Sequence, residues 1–236
     1  MKVLAVGAHP DDVELQCAGT LARCVARGDQ VFIAVSTNGE AGSSTLGAAE
    51  VAHVREAEAS AAARVIGAEL IWMGFRDEFL IETETIRLAY IDLVRRVRPD
   101  IVITHDPHND YHPDHLATGQ ILWNTRVMTS VPNIKTAHPP VDHLPALYFM
   151  DTLAGINFKP ELYVDIGETM DIKRRMLASH ASQSAWLKDH SGISYIDFME
   201  TCAAFRGLQA GVRHAEAFRK ATVFPCSSES GQLLPS

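Results

Sequence analysis

No apolar run in the 236 residues approaches the roughly 18 needed to span a bilayer, no pair of the four cysteines is spaced as CxxC, and basic charge is scarce. Each absence removes a class of function. Without a long apolar run, a membrane-spanning helix is excluded. Cys17, Cys24, Cys202 and Cys226 lie mostly within or beside apolar stretches, so they read as buried thiols in a reducing compartment. With 21 Lys and Arg against 29 Asp and Glu, the formal charge is -8. The densest basic cluster, Arg87, Arg95, Arg96 and Arg98, lies along one amphipathic stretch without interleaved aromatics, and reads as a solvated helix face. Neither nucleic acid nor an anionic membrane is therefore the expected partner, since phosphate binding needs clustered cations. A small neutral or cationic ligand suits the charge better. Met1 leads directly into a short apolar strand with one lysine, which gives a cytoplasmic location as the expectation.

Two catalytic signatures are also missing. The turn after the first strand lacks the glycine fingerprint of dinucleotide sites, and no G-x-S-x-G elbow occurs; Ser36, Ser43 and Ser44 have no local base beside them. A nucleotide enzyme and a serine hydrolase are both poor fits.

What is present is an apolar content of 47%, enough to build one domain over residues 1–236, with a polar tail at 226–236 that reads as frayed. Short apolar runs alternate with longer amphipathic ones over the first two-thirds, which predicts a Rossmann-like three-layer α/β/α fold with a mostly parallel sheet. Strands are expected at 3–6, 31–35, 70–73, 101–104, 147–150 and 163–166. Val13, Cys17, Leu21 and Val25 recur every fourth position and predict one helix ending near Gly28. Further helices are expected at 48–66, 83–97, 116–128, 170–177 and 196–205. The Pro-rich stretch 131–145 reads as a long loop placed to border a ligand site.

In such a sheet, ligands gather beyond the carboxyl ends of the strands. Two loops there have unusual contents. Gly7 to Glu14 follows the first strand and offers His9, Asp11, Asp12 and Glu14; its adjacent aspartates suit a cation and would repel a pyrophosphate. His105 to His115 follows the fourth strand and contains four histidines and three aspartates. One such loop alone fits solvated histidines as well as it fits a metal site. Together, the loops supply the nitrogen and oxygen donors that zinc accepts, and catalytic zinc keeps three protein ligands with a position left open. His9, Asp12 and one downstream histidine meet that description.

Ala8-His9-Pro10-Asp11-Asp12-Val13-Glu14, taken with His112-Pro113-Asp114-His115, resembles the paired motif of the PIG-L/LmbE deacetylase family. The likeness extends to Arg55 through Glu58, Arg98-Pro99-Asp100, Ser182-Gln183 and Ala215 through Phe218. It implies a zinc-dependent amide hydrolase that removes an N-acetyl or other N-acyl group from an amino sugar or glycoside, releasing acetate and a free amine. It implies Zn2+ on His9, Asp12 and His115, Asp11 as general base, and His112 stabilising the oxyanion and protonating the amine. Homo-oligomers are an expectation from the resemblance alone.

Around that core, Asp114 is expected to orient His112 or to be solvated, and His105 and His108 to support the site or lie at the surface. Arg55 and Glu58 have the spacing of a surface ion pair, while the resemblance makes Arg55 a candidate for gripping substrate hydroxyls. Asn109-Asp110-Tyr111 departs from the glycine-containing loop of some relatives, which bears on the group recognised. An amidase for a larger thiol-sugar conjugate and a non-catalytic metal-binding module are the alternatives; Asp11 and His112 argue against the latter, because neither is needed to hold a metal.

Overall fold

A computed structural model describes residues 1–224 together with 234 and 235. The expected fraying of 226–236 falls mostly outside the described residues, but Leu234 is buried. Seven strands form one sheet: β1 (Lys2–Gly7), β2 (Gln30–Thr37), β3 (Glu69–Phe75), β4 (Ile101–Thr104), β5 (Ala146–Met150), β6 (Leu162–Asp165) and β7 (Ala215–Lys220). Their order is β3-β2-β1-β4-β5-β7-β6, parallel from β3 through β5, with β7 antiparallel to both its neighbours. The mostly parallel expectation holds.

β1 sits at the centre because its apolar run can be buried on both faces. Val3 and Ala5 join the core on one face, and Leu4 and Val6 the core on the other. That alternation is the pleat of a strand covered by two helical layers. β1 pairs with β2 on one side and β4 on the other, so the chain changes direction across the sheet between β1 and β4. Val6 lies opposite Thr104, and the loops that leave these two strands therefore emerge side by side.

The first helix is broken. α1 (Asp12–Gln16) and α2 (Ala18–Ala26) meet at Cys17, whose backbone leaves the helical region. The cause is tertiary: the Glu216 carboxylate accepts from Gly19 N at 2.9 Å and Thr20 N at 2.7 Å, satisfying amides that open α2. Next come α3 (Ala48–Val65) and α4 (Glu84–Val97), the latter capped by Thr83, whose side chain accepts from Ile86 N. α5 (Pro113–Thr125) starts earlier than expected, because His112 caps it and Pro113 needs no amide partner in the first turn. α6 (Met170–Ala178), α7 (Ala181–Ser191) and α8 (Tyr195–Ala210) complete the α-helices among the described residues. None is long and apolar enough to cross a membrane.

Two expectations fail here. Arg95 is 2% exposed, not part of a solvated face. Its guanidinium donates to Thr129 O, Val131 O and Ile134 O, which fastens the 131–145 loop to α4. That loop contributes nothing to the lining of the pocket over His9 and His115.

Candidate active site

The loop after β1 is shaped by its own side chains. Asp12 Oδ2 accepts from His9 N at 2.7 Å, closing a tight turn, and the intervening Asp11 takes φ 125°. A non-glycine residue at such a φ is strained and persists only where its surroundings enforce it. His105, fully buried, lies below: its Nε2 is 3.0 Å from Ala8 N and 3.1 Å from Asp12 Oδ2. Nε2 can accept from Ala8 N or, in the other tautomer, donate to Asp12, so His105 supports either the loop backbone or the carboxylate. His108 packs edge-on to Trp123, away from this cluster.

His9 Nδ1 lies 3.2 Å from His115 Nε2 and 3.4 Å from Asp12 Oδ2, and His115 Nε2 lies 3.2 Å from Asp12 Oδ1. A tetrahedral centre with bonds of about 2.0–2.1 Å places its ligand atoms about 3.3 Å apart. Two imidazole nitrogens and the two oxygens of one carboxylate gather at about that spacing, a His/Asp cluster that could hold a metal ion. Close groupings of His9, His112 and His115, and of Asp12, His105 and His115, overlap there.

The outward ring nitrogens meet carboxylates. His115 Nδ1 is 3.1 Å from Asp110 Oδ2; His9 Nε2 is 3.2 Å from Asp77 Oδ1 and 3.4 Å from Asp114 Oδ2. The hydrogen bond at His115 fixes that ring's orientation and raises the basicity of its inward nitrogen, whereas His9 Nε2 has the two carboxylates close by without a hydrogen bond to either. Asp114 also accepts from Glu78 N and Leu80 N. Its carboxylate thus serves His9 and the 78–80 loop rather than His112, which corrects the expectation; His112 Nδ1 instead accepts from Asp114 N at 3.3 Å.

The electrostatics follow the packing. Burial lowers the pKa of His9, yet the carboxylates of Asp114, Asp12 and Asp77 outweigh it and raise the group well above the ordinary histidine value. Burial is likewise overcome at His115, where Asp12 and Asp110 push the pKa up to about 9. Asp12 is held well below the carboxylate range: burial opposes this, but His115 and His105 prevail. His112 moves the other way, lowered by burial and by His115 and His9.

Asp11 stands apart from the cluster although Asp12 is its neighbour in sequence. Arg55 Nη2 donates to Asp11 Oδ2 at 3.0 Å and to Pro10 O at 2.7 Å, and Arg55 Nη1 donates to Gly39 O at 3.1 Å. Arg55 is only 4% exposed. Nη1 and Nη2 are thus engaged by the protein, while Nε has no partner among the described residues and Arg55 lines the cavity that opens over the site. Nor does Arg55 pair with Glu58, which accepts from Ser182 N and Ser182 Oγ. Burial raises the Asp11 pKa, while Arg55 and a hydrogen bond from Tyr195 offset part of that rise. Tyr195 and Asp77 carry no signal in the sequence, and Asp110 stands out there only as part of the Asn109-Asp110-Tyr111 loop. Asp110 lay within the histidine-rich loop, Asp77 is a lone acid after β3, and the Tyr195 approach depends on packing of α8.

A cavity of about 460 Å³ opens above these groups, with His9, Asp11, Asp12, His112 and His115 at its floor and Leu153, Ile193 and Phe198 on one wall.

Fold and site together define an α/β protein with a His/Asp cluster that could hold a metal ion at the switch point of its sheet. The chain belongs to the PIG-L family, described as GlcNAc-PI de-N-acetylase, whose model matches residues 4–125. It is 28% identical to the diacetylchitobiose deacetylase of Thermococcus kodakarensis, over 92% of this chain and 82% of that protein. The solved N,N'-diacetylchitobiose deacetylase of Pyrococcus horikoshii superposes with a TM-score of 0.82 at 28% identity, covering 93% of this chain and 83% of that one. The 4-carboxy-2-hydroxymuconate hydratase GalB of Pseudomonas putida shares the fold, with a TM-score of 0.80 at 22% identity, covering 98% and 99%. Fold alone therefore does not select the reaction.

Proposed function

We propose that the chain hydrolyses the N-acetyl amide of a small amino sugar or glycoside, using zinc held by His9 Nδ1, Asp12 and His115 Nε2. The observation that carries this is the spacing of those donor atoms, 3.2 to 3.4 Å, beside a separately held Asp11. The deacetylase relatives supply the substrate class. Zinc in such a site supplies Lewis acidity, polarising the amide carbonyl and making water easier to deprotonate.

The chain's own groups do the rest. Asp11, held in place by Arg55 and Tyr195, accepts the proton of the attacking water. His112 Nδ1 accepts a backbone amide, so the neutral ring carries its proton on Nε2. Nε2–H donates to the oxygen that gains charge in the transition state, and the proton that Asp11 took from the water is delivered to the amine nitrogen as it leaves. The C–N bond breaks, giving acetate and a free amine. A module that merely holds a metal has no need of a strained, buried Asp11.

The test is amine release by the zinc-loaded protein over a panel of N-acetyl amino sugars. Release that disappears on chelation and returns with zinc supports the reading; zinc bound with no release across the panel favours the binding module.

A further inference from the structure

Glu78 lines the catalytic cavity in a backbone conformation that does not suit it. Its φ is 64°, a left-handed value that glycine adopts freely and glutamate only at a cost. The turn around it is held without its side chain: Glu78 N donates to Asp114 Oδ2 at 2.8 Å, Leu80 N to Asp114 Oδ1 at 3.2 Å, and Asp77 Oδ2 accepts from Ala41 N at 3.0 Å. Glycine would serve that turn with less strain. A strained residue whose side chain adds nothing to its own turn points to a role in what the turn faces.

The Glu78 side chain faces the reacting end of the cavity. Oε1 lies 3.5 Å from His112 Nε2, the nitrogen that donates to the developing oxyanion, and half of the side chain is exposed. That contact is too long to tie up the carboxylate as a hydrogen bond. Among the described residues no Lys or Arg pairs with Glu78. Arg76, two positions earlier, is committed to Glu40 and covers the Phe79 ring, and Arg55, the guanidinium of the lining, is paired with Asp11. The other lining acids are likewise engaged: Asp12 lies against His115 and His105, and Asp77 accepts an amide beside His9. Glu78 thus offers an uncommitted carboxylate next to the reacting carbonyl. A hydroxyl or an ammonium satisfies such a group, whereas a second anion is repelled by it.

We propose that Glu78 is a specificity residue that selects substrate by charge: it favours an N-acetylated sugar that is neutral or cationic at the carbons flanking the amide, and disfavours one with a phosphate or carboxylate there. The inference rests on the deacetylase reading of the same cavity and adds the substrate class. A like charge about 5–7 Å away near a protein surface changes affinity about tenfold. Zinc at the cavity floor attracts every anion alike, so the part due to Glu78 is read by changing Glu78.

The zinc-loaded protein is assayed for amine release from four sugars: methyl N-acetylglucosaminide, its 2-aminoethyl counterpart, N-acetylglucosamine 1-phosphate and N-acetylmuramic acid. The last two carry their anions on the two carbons beside the amide. In the parent, kcat/KM is expected to fall from the cationic through the neutral to the anionic sugars, with the neutral glycoside at least about tenfold ahead of both anions. Glu78→Gln is expected to shrink that ratio about fivefold or more, and Glu78→Lys to reverse it. Glu78→Gly relieves the positive φ, so it keeps the fold while removing the charge, and is expected to match Glu78→Gln. Raised ionic strength should narrow the ratio in the parent and leave it in Glu78→Gln. A ratio that is the same in the parent and in the Gln, Gly and Lys variants overturns the proposal, as does a parent that prefers the anions. Calorimetry with the same four sugars separates this from the reaction itself: affinities that follow the charge at position 78 without any amine release keep the selection and remove the deacetylase reading, and affinities that do not follow it overturn the selection.

Discussion

Arg55 Nη2 donates to the Asp11 carboxylate at 3.0 Å and to the carbonyl of the preceding Pro10 at 2.7 Å while Nη1 donates to Gly39 O, so the fork ties the strained turn to the loop at Gly39. Lysine keeps the charge but presents one ammonium in place of the fork. Arg55→Lys is therefore expected to lower kcat about 10- to 100-fold through misplacement of Asp11, with KM nearly unchanged. Steady-state kinetics separate this from a substrate contact: a raised KM at constant kcat would return Arg55 to the role of gripping hydroxyls.

Asp11 and Asp12 are adjacent, yet only Asp12 faces the His9 and His115 nitrogens. Asp11→Asn should remove at least about 100-fold of the turnover while zinc remains bound at one equivalent. Metal analysis beside the activity assay checks both halves. Loss of zinc together with activity would show that Asp11 belongs to the ligand set.

Asp110 approaches His115 Nδ1 at 3.1 Å, on the side away from the proposed metal. Asp110→Asn loses the charge that orients the ring and enriches its inward nitrogen. Zinc affinity should fall about 10- to 100-fold, measured by competition with a chromophoric chelator. An unchanged affinity would make Asp110 a loop residue only; it does accept from Tyr111 N and His112 N.

Much of this site could be read from residue types alone, because the His9 and His105 loops follow apolar runs that could only be central strands. What the sequence does not encode locally is which outward nitrogen meets which acid. Asp77 arrives from the end of β3, and its contact with His9 exists only because β3, β2 and β1 lie in register. The same holds for β7. Glu216, Arg219 and Lys220 interrupt its apolar pattern, so Ala215 through Phe218 stood out as a motif and not as a strand. α7 has no apolar periodicity in the sequence for a similar reason, since Gln183 is its one buried residue. Arg95 looked solvated because its neighbours Arg96 and Arg98 are charged; only the carbonyls of the 129–134 stretch give it a reason to be buried.

Without a metal, His115 is raised to about 9 and His9 above the usual value by the surrounding carboxylates, so the pair holds on to a proton at neutral pH. Their pairing with Asp12, Asp77, Asp110 and Asp114 stabilises the metal-free fold fully below the unfolded histidine value of about 6.5, and that contribution fades as pH rises through about 9. A metal must displace that proton. Apparent zinc affinity should therefore climb with pH, by up to about tenfold per unit for each proton released, until the rings are neutral. Calorimetry in buffers of different ionisation enthalpy counts the protons; a count of zero at pH 7 would mean that the rings are already neutral.

The Lys173 ammonium lies 2.5 Å from Glu216 Oε1 and donates to Leu15 O at 2.7 Å, with both side chains almost wholly buried. Glu216 spends its remaining capacity on the amides that open α2. One ion pair thus ties β7 and α6 to the break between α1 and α2, just behind Asp12. Removing one partner leaves a buried charge without compensation, at a cost of about 3–5 kcal/mol, whereas replacing both by apolar residues of similar size costs much less. Lys173→Met is expected to lower stability by that amount in urea unfolding. Lys173→Met with Glu216→Leu should recover part of it, short of the full value because the Gly19 and Thr20 amides then lose their acceptor. Full recovery would show that water reaches those amides and that Glu216 is not what breaks the helix. Because the pair touches no proposed ligand directly, zinc affinity in the folded double variant should stay within about threefold of the parent; a larger loss would mean that the kink at Cys17 sets the position of Asp12.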